Sequence, residues 1–146
     1  MKNPDTTKPF RVTPEDIKVL GPDQIFVFGS NLSGIHGKGA ALLAHRSFGA
    51  KWGKGIGLAG ATYAIPTKDK VLAVLPLDQI AWHVKVFIEF AAKHPKQHFW
   101  VTPIGCGLAG YKPKDIAPMF YEDTLTDNIS LPAPFITAMA DIVLQK

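Results

Sequence analysis

The chain has 146 residues, of which 47% are apolar, so it can bury one sizeable hydrophobic core and is not a disordered protein. No apolar run approaches the roughly 20 residues of a membrane helix, and the start of the chain lacks the apolar region of a signal peptide. The single cysteine excludes an intramolecular disulfide and fits a reducing compartment, so we expect a cytoplasmic protein. The net charge of +4 favours anionic ligands in general, but the scattered basic residues do not mark a nucleic-acid binder.

The beginning of the chain predicts a tail, a turn and a central strand. Residues 1–9 contain two prolines and few large apolar side chains, so we expect a flexible tail before a single domain over residues 10–146. Residues 13–16 (TPED) have the order of a helix start, which predicts a short helix or turn. Residues 24–28 (QIFVF) predict a strand in the middle of a sheet, because apolar residues fall on both faces.

A glycine-rich loop, residues 29–39, follows that strand at once. Residues 40–48 (AALLAHRSF) then predict a helix, and Gly49 is expected to end it. Residues 51–60 predict a flexible connection, and residues 61–66 predict a second strand that a proline stops.

The second half of the chain predicts a further alternation of strands and helices. The elements are a strand or extended run at 71–75, a helix from an N-cap at Asp78 to about 93, a strand at 99–101, a short helix at 113–121, a strand at 128–131 and a final helix at 136–145. A second glycine loop, residues 105–110, follows the strand at 99–101. Strands that alternate with helices predict an α/β protein whose sheet is covered on both faces.

Both glycine loops leave the carboxyl end of a predicted strand, which is where ligands sit in an open α/β sheet. Such a loop points backbone N–H groups at an anion, and the next helix start adds about half a positive charge. Glycine lets a phosphate approach the backbone closely. Two such loops on one crevice suit a diphosphate, and a tight turn without a ligand is the alternative.

Other motifs give weaker hypotheses. Residues 55–60 and 105–110 both match G-x-G-x-x-G, but the first precedes a strand and no acid-terminated second strand follows the second. Cys106 has no histidine near it in sequence, so a small packed residue is favoured over a nucleophile. The histidines have no ligand spacing, which predicts no metal site. Trp52 is the tryptophan that could cover a ligand.

Four short segments resemble the macro domain, the ADP-ribose-binding fold. They are residues 28–31 (FGSN), 36–41 (HGKGAA), 63–68 (YAIPTK) and 104–108 (IGCGL), in the order of that family. The similarity is closest to the branch of terminal ADP-ribose protein glycohydrolases and DNA ADP-ribosyl glycohydrolase antitoxins, and it runs from about residue 16 to 121. It implies a three-layer sandwich with a mixed central sheet and helices on both faces.

The resemblance also implies a site for ADP-ribose, either free or on an ADP-ribosylated macromolecule. It implies no cofactor, no metal and no membrane partner, and nucleic acid only as a modified substrate. Asp16 would bind the adenine amino group, or be merely an acid in the first turn of a helix. Backbone donors of both loops would hold the diphosphate and the distal ribose, at Asn31, Gly37, Gly39, Ala40, Gly105, Cys106, Gly107, Leu108, Ala109, Gly110 and Tyr111.

Two departures from that family bear on catalysis. Many macro hydrolases carry an aspartate at the position of Ala41, and the glycohydrolase branch pairs its lysine with an acid at the position of Ala109. Lys68 occupies the place of that lysine nucleophile, so the implied nucleophile is kept and its acid is lost. Losing one positioned acid or base typically costs about 10²–10⁴ in rate. We therefore rank a binding module above an active hydrolase. An interaction module with degenerate loops and an enzyme for another nucleotide or sugar phosphate remain open.

Overall fold

The structure is a computed structural model that describes residues 11–121 and 125–144. Six strands form its sheet: β1 (Val12–Thr13), β2 (Gln24–Asn31), β3 (Gly57–Ala59), β4 (Thr62–Lys68), β5 (His98–Val101) and β6 (Ile129–Pro132). Their order is β1-β6-β5-β2-β4-β3, and all neighbours are parallel except β3, which is antiparallel to β4. The sheet is therefore mixed, with β2 near its centre.

Four α-helices pack against this sheet: α1 (Gly39–Leu43), α2 (Leu77–Ala92), α3 (Pro113–Ile116) and α4 (Ala133–Leu144). A π-helical turn over Ala44–Phe48 continues α1, and a 3₁₀ turn over Ala117–Phe120 continues α3. Gly49 ends the π turn in the left-handed conformation, as expected for a glycine C-cap. The predicted α/β class with a mixed central sheet is confirmed.

The two faces of the sheet are buried by different helices, because β2 has apolar side chains at successive positions. Val27 lies in a core with Phe87 of α2, whose ring centroid is 5.5 Å from that of Phe99 in β5. Phe26 lies in the second core, and its ring centroid is 5.1 Å from that of Phe48 in the π turn. Each face therefore has its own core, and the sheet separates them.

The neighbouring strands β2 and β5 are followed by connections that lead to opposite sides of the sheet. After β2 it continues through α1 on one face and reaches β4 on one side. After β5 it continues through α3 on the opposite face and reaches β6 on the other side. The loops after β2 and β5 therefore diverge at the carboxyl ends of these two strands, which is where an open α/β sheet is expected to form a crevice. This is the topological switch point of an open α/β sheet.

No helix forms at residues 13–16, where the structure has the end of a strand followed by a bend at residues 15–16. Val12–Thr13 forms the edge strand β1, parallel to β6, and the Thr13 hydroxyl donates to the Ser130 carbonyl at 3.0 Å. Pairing with β6 gives the backbone groups of this segment hydrogen-bond partners in the sheet, so the tertiary contact overrides the local sequence preference for a helix start. The predicted tail over residues 1–9 and residue 145 of the last predicted helix lie outside the described residues.

Several other elements differ from their predictions. Strand β4 continues through Pro66 to Lys68, so the proline does not stop the strand predicted at 61–66. The connection at 51–60 contains β3 and a tight turn, and is therefore not a featureless linker.

The run at 71–75 begins as a turn, because the Asp69 carboxylate accepts the N–H groups of Val71 and Ala73, each at 2.9 Å. Among the described residues, its only strand-like pairing is at its end, where Val74 forms an isolated antiparallel bridge with Lys68. Helix α2 has Pro76 at its N-cap, so the acid predicted to cap it lies in its first turn.

The segment before β3 crosses the end of β2 so closely that a side chain at Gly55 would overlap the carbonyl oxygen of Asn31. We expect Gly55→Ala to lower the free energy of unfolding by about 1–3 kcal/mol, as overpacking does. Gly37→Ala is the control, because its Cβ would meet no atom within 4 Å and its backbone is outside the left-handed region. Urea unfolding of both variants checks this, and equal stabilities would contradict the crossing.

Candidate functional site

The crevice between β2 and β5 is bordered by loop one (residues 32–38) and loop two (residues 102–112). Loop two passes directly over β2, since a Cβ at Gly29 would lie 3.4 Å from the Gly105 nitrogen. The Thr102 hydroxyl fixes the start of loop two by donating to the Val27 carbonyl at 2.8 Å. The structure therefore brings the two predicted glycine loops to one edge of the sheet.

Loop one is shaped by Asn31, the last residue of β2. Its side-chain oxygen accepts the Ile35 N–H at 3.0 Å, and its amide donates to the Ile35 carbonyl at 2.8 Å. Asn31 is predicted to contact the ligand, but its side-chain oxygen and nitrogen both bond to Ile35 and therefore stabilise the conformation of loop one. The N–H groups of Gly37, Gly39 and Ala40 have no acceptor within the described residues. These donors stand at the start of the helical segment 39–48.

Loop two folds on itself and leaves its tip open. Gly105 has a φ of 75°, and its carbonyl accepts the Tyr111 N–H at 2.9 Å. Gly110, with a φ of 85°, donates to the Gly107 carbonyl at 3.0 Å. In the part of the chain that the structure describes, three tip N–H groups have no acceptor, those of Gly107, Leu108 and Ala109. Leu108 is 68% exposed. The tip therefore has three N–H groups that no carbonyl of the described residues uses.

Two of the loop glycines have open space where a side chain would be. A Cβ at Gly37 or Gly107 would meet no atom within 4 Å, and neither residue has a positive φ. The backbone at these two positions therefore tolerates a side chain. Gly39 also has open space, but its φ of 60° disfavours any other residue. The space beside loops one and two is thus available to a ligand from both sides of the crevice.

Lys68 ends β4 beside Asn31, and its carbonyl accepts the Leu32 N–H at 2.9 Å. The register of β2 and β4 shifts between Ser30 and Asn31, and such irregularities are common next to functional sites. Lys68 is half-buried, and within residues 11–121 and 125–144 no acid lies within ion-pairing distance of it. A lysine therefore stands at the edge of the crevice without the acid that the glycohydrolase branch places there.

Asp16, the predicted adenine contact, lies after the edge strand β1, two strands away from β5. Its carboxylate is 3.6 Å from the Lys18 ammonium, and both side chains are well exposed. The next residue, Ile17, packs into the core beside Phe48. Asp16 has a surface ion pair and no hydrogen bond to either loop, so its adenine role stays a prediction.

Two further predicted residues of loop two face inward. The Tyr111 hydroxyl donates to the Leu75 carbonyl at 2.7 Å and ties the loop to the segment before α2. Cys106 is half-buried, and burial, with a smaller contribution from the Asp115 carboxylate, raises the pKa of its thiol to about 11. A raised pKa leaves little thiolate at neutral pH, which agrees with a packing role.

His36 is a residue of loop one that no sequence pattern singled out. Its ring is fully buried, edge-on to Phe28 with the centroids 5.3 Å apart. The Nε2 atom lies 2.8 Å from the Lys51 carbonyl, and because a carbonyl can only accept a hydrogen bond, Nε2 carries the hydrogen and donates it. The Nδ1 atom has no hydrogen-bond partner among the described residues. A single histidine between glycines has no periodicity, so its burial could not be predicted.

A second concavity, with a volume of about 560 Å³, lies at the amino edge of the sheet, opposite the crevice. Asn128 lines it, but the Asn128 amide already donates to the carbonyls of Ala91, His94 and Gln97. His98 also lines it and lies 2.7 Å from the Ser130 hydroxyl. Its polar groups are largely used by the fold, and it is remote from both glycine loops.

Comparisons with models of protein families, with curated proteins and with solved structures found no match to this chain. The structure itself establishes an α/β fold with a six-stranded mixed sheet and helices packed against it. Over the ranges 11–121 and 125–144, no helix is both long and apolar enough to cross a membrane. The same ranges contain no group of three or more histidine, cysteine or acidic residues placed to hold a metal ion.

The raised pKa predicts that the Cys106 thiol reacts slowly. At neutral pH we expect iodoacetamide to alkylate it about a hundredfold more slowly than a free cysteine, with a rate that climbs until about pH 11. Asp115→Asn removes the repulsive charge and keeps an acceptor for the Lys112 N–H, so it should raise the rate at neutral pH. Mass spectrometry of timed samples measures both, and the urea-unfolded protein gives the reference rate. Fast alkylation of the folded protein would contradict the assignment.

Proposed function

We propose that the chain binds ADP-ribose, free or attached to a macromolecule, in the crevice between loops one and two. The observation that carries the proposal is that two glycine loops with unpaired N–H groups leave adjacent strands at the topological switch point. A diphosphate needs donors for two phosphates, and each loop offers three: Gly37, Gly39 and Ala40 in loop one with its helix start, and Gly107, Leu108 and Ala109 in loop two.

The charge of the surrounding segments supports an anionic ligand. Lys38 and Lys68 flank loop one and the end of β4, and Lys112 and Lys114 follow loop two. The acid nearest to loop two in sequence, Asp115, accepts the Lys112 N–H at 3.0 Å and caps α3. A diphosphate in the crevice would therefore face basic side chains and backbone donors.

The identity of the ligand rests on the four segments that resemble the macro domain. Three of them lie at the crevice: the end of β2, the start of α1 and loop two. The fourth ends at Lys68, next to Asn31. The proposal therefore includes three further statements: that the chain is a macro domain, that it is cytoplasmic, and that its partner is ADP-ribosylated. Nucleic acid would bind in the crevice only if it carried ADP-ribose.

Binding is favoured over hydrolysis because the crevice has a nucleophile without an acid. An amine at Lys68 could attack the anomeric carbon of the distal ribose, forming a C–N bond while the bond to the leaving group breaks. The amine must first lose its proton, and the leaving group must gain one. Alanine occupies both places, 41 and 109, where the family provides an acid, so neither proton has a carrier. Slow hydrolysis with Lys68 as nucleophile is the second candidate function.

We expect ADP-ribose to bind in preference to AMP, since AMP offers one phosphate to two loops. At 100 times its Kd, ADP-ribose should stabilise the fold by about 2.7 kcal/mol. Gly107→Val should weaken binding about 10- to 150-fold without unfolding the domain, because it displaces a charged hydrogen bond in a place that tolerates a side chain. Gly37→Val makes the same test of loop one. Calorimetry and thermal unfolding with ADP-ribose, NAD, AMP and ribose phosphate measure these effects.

Gly21→Val is the matched control, because Gly21 lies before β2 at the amino edge and a Cβ there would meet only the flexible Gln24 side chain, at 3.3 Å. It should leave ADP-ribose binding unchanged. No thermal shift of the parent with millimolar ADP-ribose would remove the proposal. Unchanged affinity in both folded loop variants would place the phosphates elsewhere.

For the chemistry, we expect the parent to remove ADP-ribose from protein or DNA weakly or not at all. Lys68→Ala should abolish any activity and change ADP-ribose affinity less, while Lys70→Ala, at a neighbouring exposed lysine, should change neither. Ala109→Asp should raise the rate, by up to about 10²–10⁴, if the acid alone is missing. Release of labelled ADP-ribose from modified protein and modified DNA measures the rates. Efficient turnover that survives Lys68→Ala would show that another group is the nucleophile.

A further inference from the structure

Residues 51–54 (KWGK) form a tight turn that displays one tryptophan between two lysines. The Lys54 N–H donates to the Lys51 carbonyl at 3.1 Å, and Gly53 takes a φ of 90°, which places Trp52 at the second position of a four-residue turn. Trp52 is 57% exposed. We call residues 51–54 the Trp52 turn. A large aromatic side chain is thus held at the surface beside loop one.

The Trp52 turn is anchored to loop one by backbone contacts. The Gly53 N–H donates to the Gly34 carbonyl at 2.9 Å, and a side chain at Gly34 would overlap the Gly53 backbone. The Nε2 of His36 donates to the Lys51 carbonyl at 2.8 Å. The turn therefore has little freedom to move relative to loop one.

Two imidazole rings hold the indole itself. The ring centroid of Trp52 is 6.1 Å from that of His36 and 5.5 Å from that of His45, with interplanar angles of 77° and 65°. The His45 ring is fixed in turn, because its Nδ1 lies 2.8 Å from the Ala50 carbonyl. An exposed side chain that is already ordered loses little conformational entropy when a ligand packs on it.

The surrounding part of the chain contains no acid. Residues 24–68 include five cationic side chains, Lys38, Arg46, Lys51, Lys54 and Lys68, and all twelve acidic residues of the chain lie outside this range. Lys54 donates to the Leu58 carbonyl at 2.6 Å and keeps two further N–H donors. Within the Trp52 turn, the exposed Lys51 and Lys54 therefore place one cationic side chain on each side of Trp52 in sequence.

We propose that the Trp52 turn is a binding site for single-stranded nucleic acid, in which an unpaired base stacks on Trp52 and the flanking phosphates contact Lys51 and Lys54. Aromatic side chains within a basic surface bind single strands in this way, because every base has a flat π-face and every linkage has a charge. A duplex hides its bases, so it can use the lysines but not the indole. An acidic peptide supplies charge without flat rings. The site needs no ADP-ribose and is separate from the proposed function of the crevice.

The test is fluorescence anisotropy with a labelled single-stranded oligonucleotide of about 12 nucleotides, a length suited to such sites. Trp52→Ala should weaken binding about 5- to 150-fold, the loss expected for one stacked base, and Trp52→Phe should restore part of it. Trp82→Ala is the matched control, because Trp82 is 61% exposed on α2 and lies far in sequence from the turn. The control should bind as the parent does.

The salt dependence separates phosphate contacts from stacking. Lys51→Gln and Lys54→Gln should each lower the slope of log affinity against log salt by about 0.7, the value for one phosphate of a single strand. Lys85→Gln, on α2, should leave the slope unchanged. The duplex of the same sequence and polyglutamate should both bind more weakly than the single strand and be insensitive to Trp52→Ala.

Equal affinity of the parent and Trp52→Ala for the single strand would overturn the proposal, and so would the absence of binding at low salt. Stronger binding of polyglutamate than of the oligonucleotide would also overturn it. Calorimetry of Trp52→Ala with ADP-ribose, together with its urea unfolding curve, shows that the variant is folded. A parent that binds oligonucleotide but not ADP-ribose would remove the crevice proposal and leave this one standing.

Discussion

Close backbone packing at the carboxyl end of β2 is the constraint on which the rest of the structure depends. Loop two lies against Gly29 on one side, and the segment before β3 lies against Asn31 at Gly55. The approach at Gly55 leaves no room for a side chain, whereas a Cβ at Gly29 would be in ordinary van der Waals contact with loop two. If Gly55 carried one, the segment that includes the Trp52 turn would move away from β2 and would strain its contacts with Gly34 and His36 of loop one. The positions of loop two and of the Trp52 turn thus depend on how closely the backbone can approach the end of β2.

The same packing explains why loop one can leave its donors unpaired. Backbone N–H groups without a partner normally disfavour a fixed conformation, unless water or a ligand reaches them. Here the loop is held by other groups, namely the Asn31 side chain, the Gly34 carbonyl and the His36 ring. These contacts do not use the N–H groups of Gly37, Gly39 and Ala40, so those groups do not have to contribute to the stability of the loop. This is the property that a preorganised anion site needs.

Much of the fold could be predicted from local patterns in the sequence. The buried strand at 24–28, the helix after it and its glycine end all depend on neighbouring residues, and the structure contains them. The failures have different causes: the edge strand β1 needs its distant partner β6, whereas the turn after β4 forms around Asp69, only two and four residues from the N–H groups that its carboxylate accepts. In the candidate site, the positions of the glycines were visible. The burial of His36 and the ordering of Trp52 were not, because both result from contacts between segments that are far apart in sequence.

Loop one is shared by the crevice and the Trp52 turn, and this sharing makes the two proposed sites physically connected. The N–H groups of Gly37 and Gly39 have no acceptor among the described residues, while the preceding His36 holds Lys51 and packs against the indole. A ligand that orders Gly37 and Gly39 would act on the same short segment as a base stacked on Trp52. Coupling between sites requires an element whose arrangement both ligands bias, and residues 34–39 are the segment common to both. The buried Nδ1 of His36, which has no partner among the described residues, lies in this shared segment. A buried acceptor without a donor makes the present conformation of loop one less stable than one in which a donor reaches Nδ1. Loop one is therefore the part of this fold where binding at one site has the most direct physical route to the other.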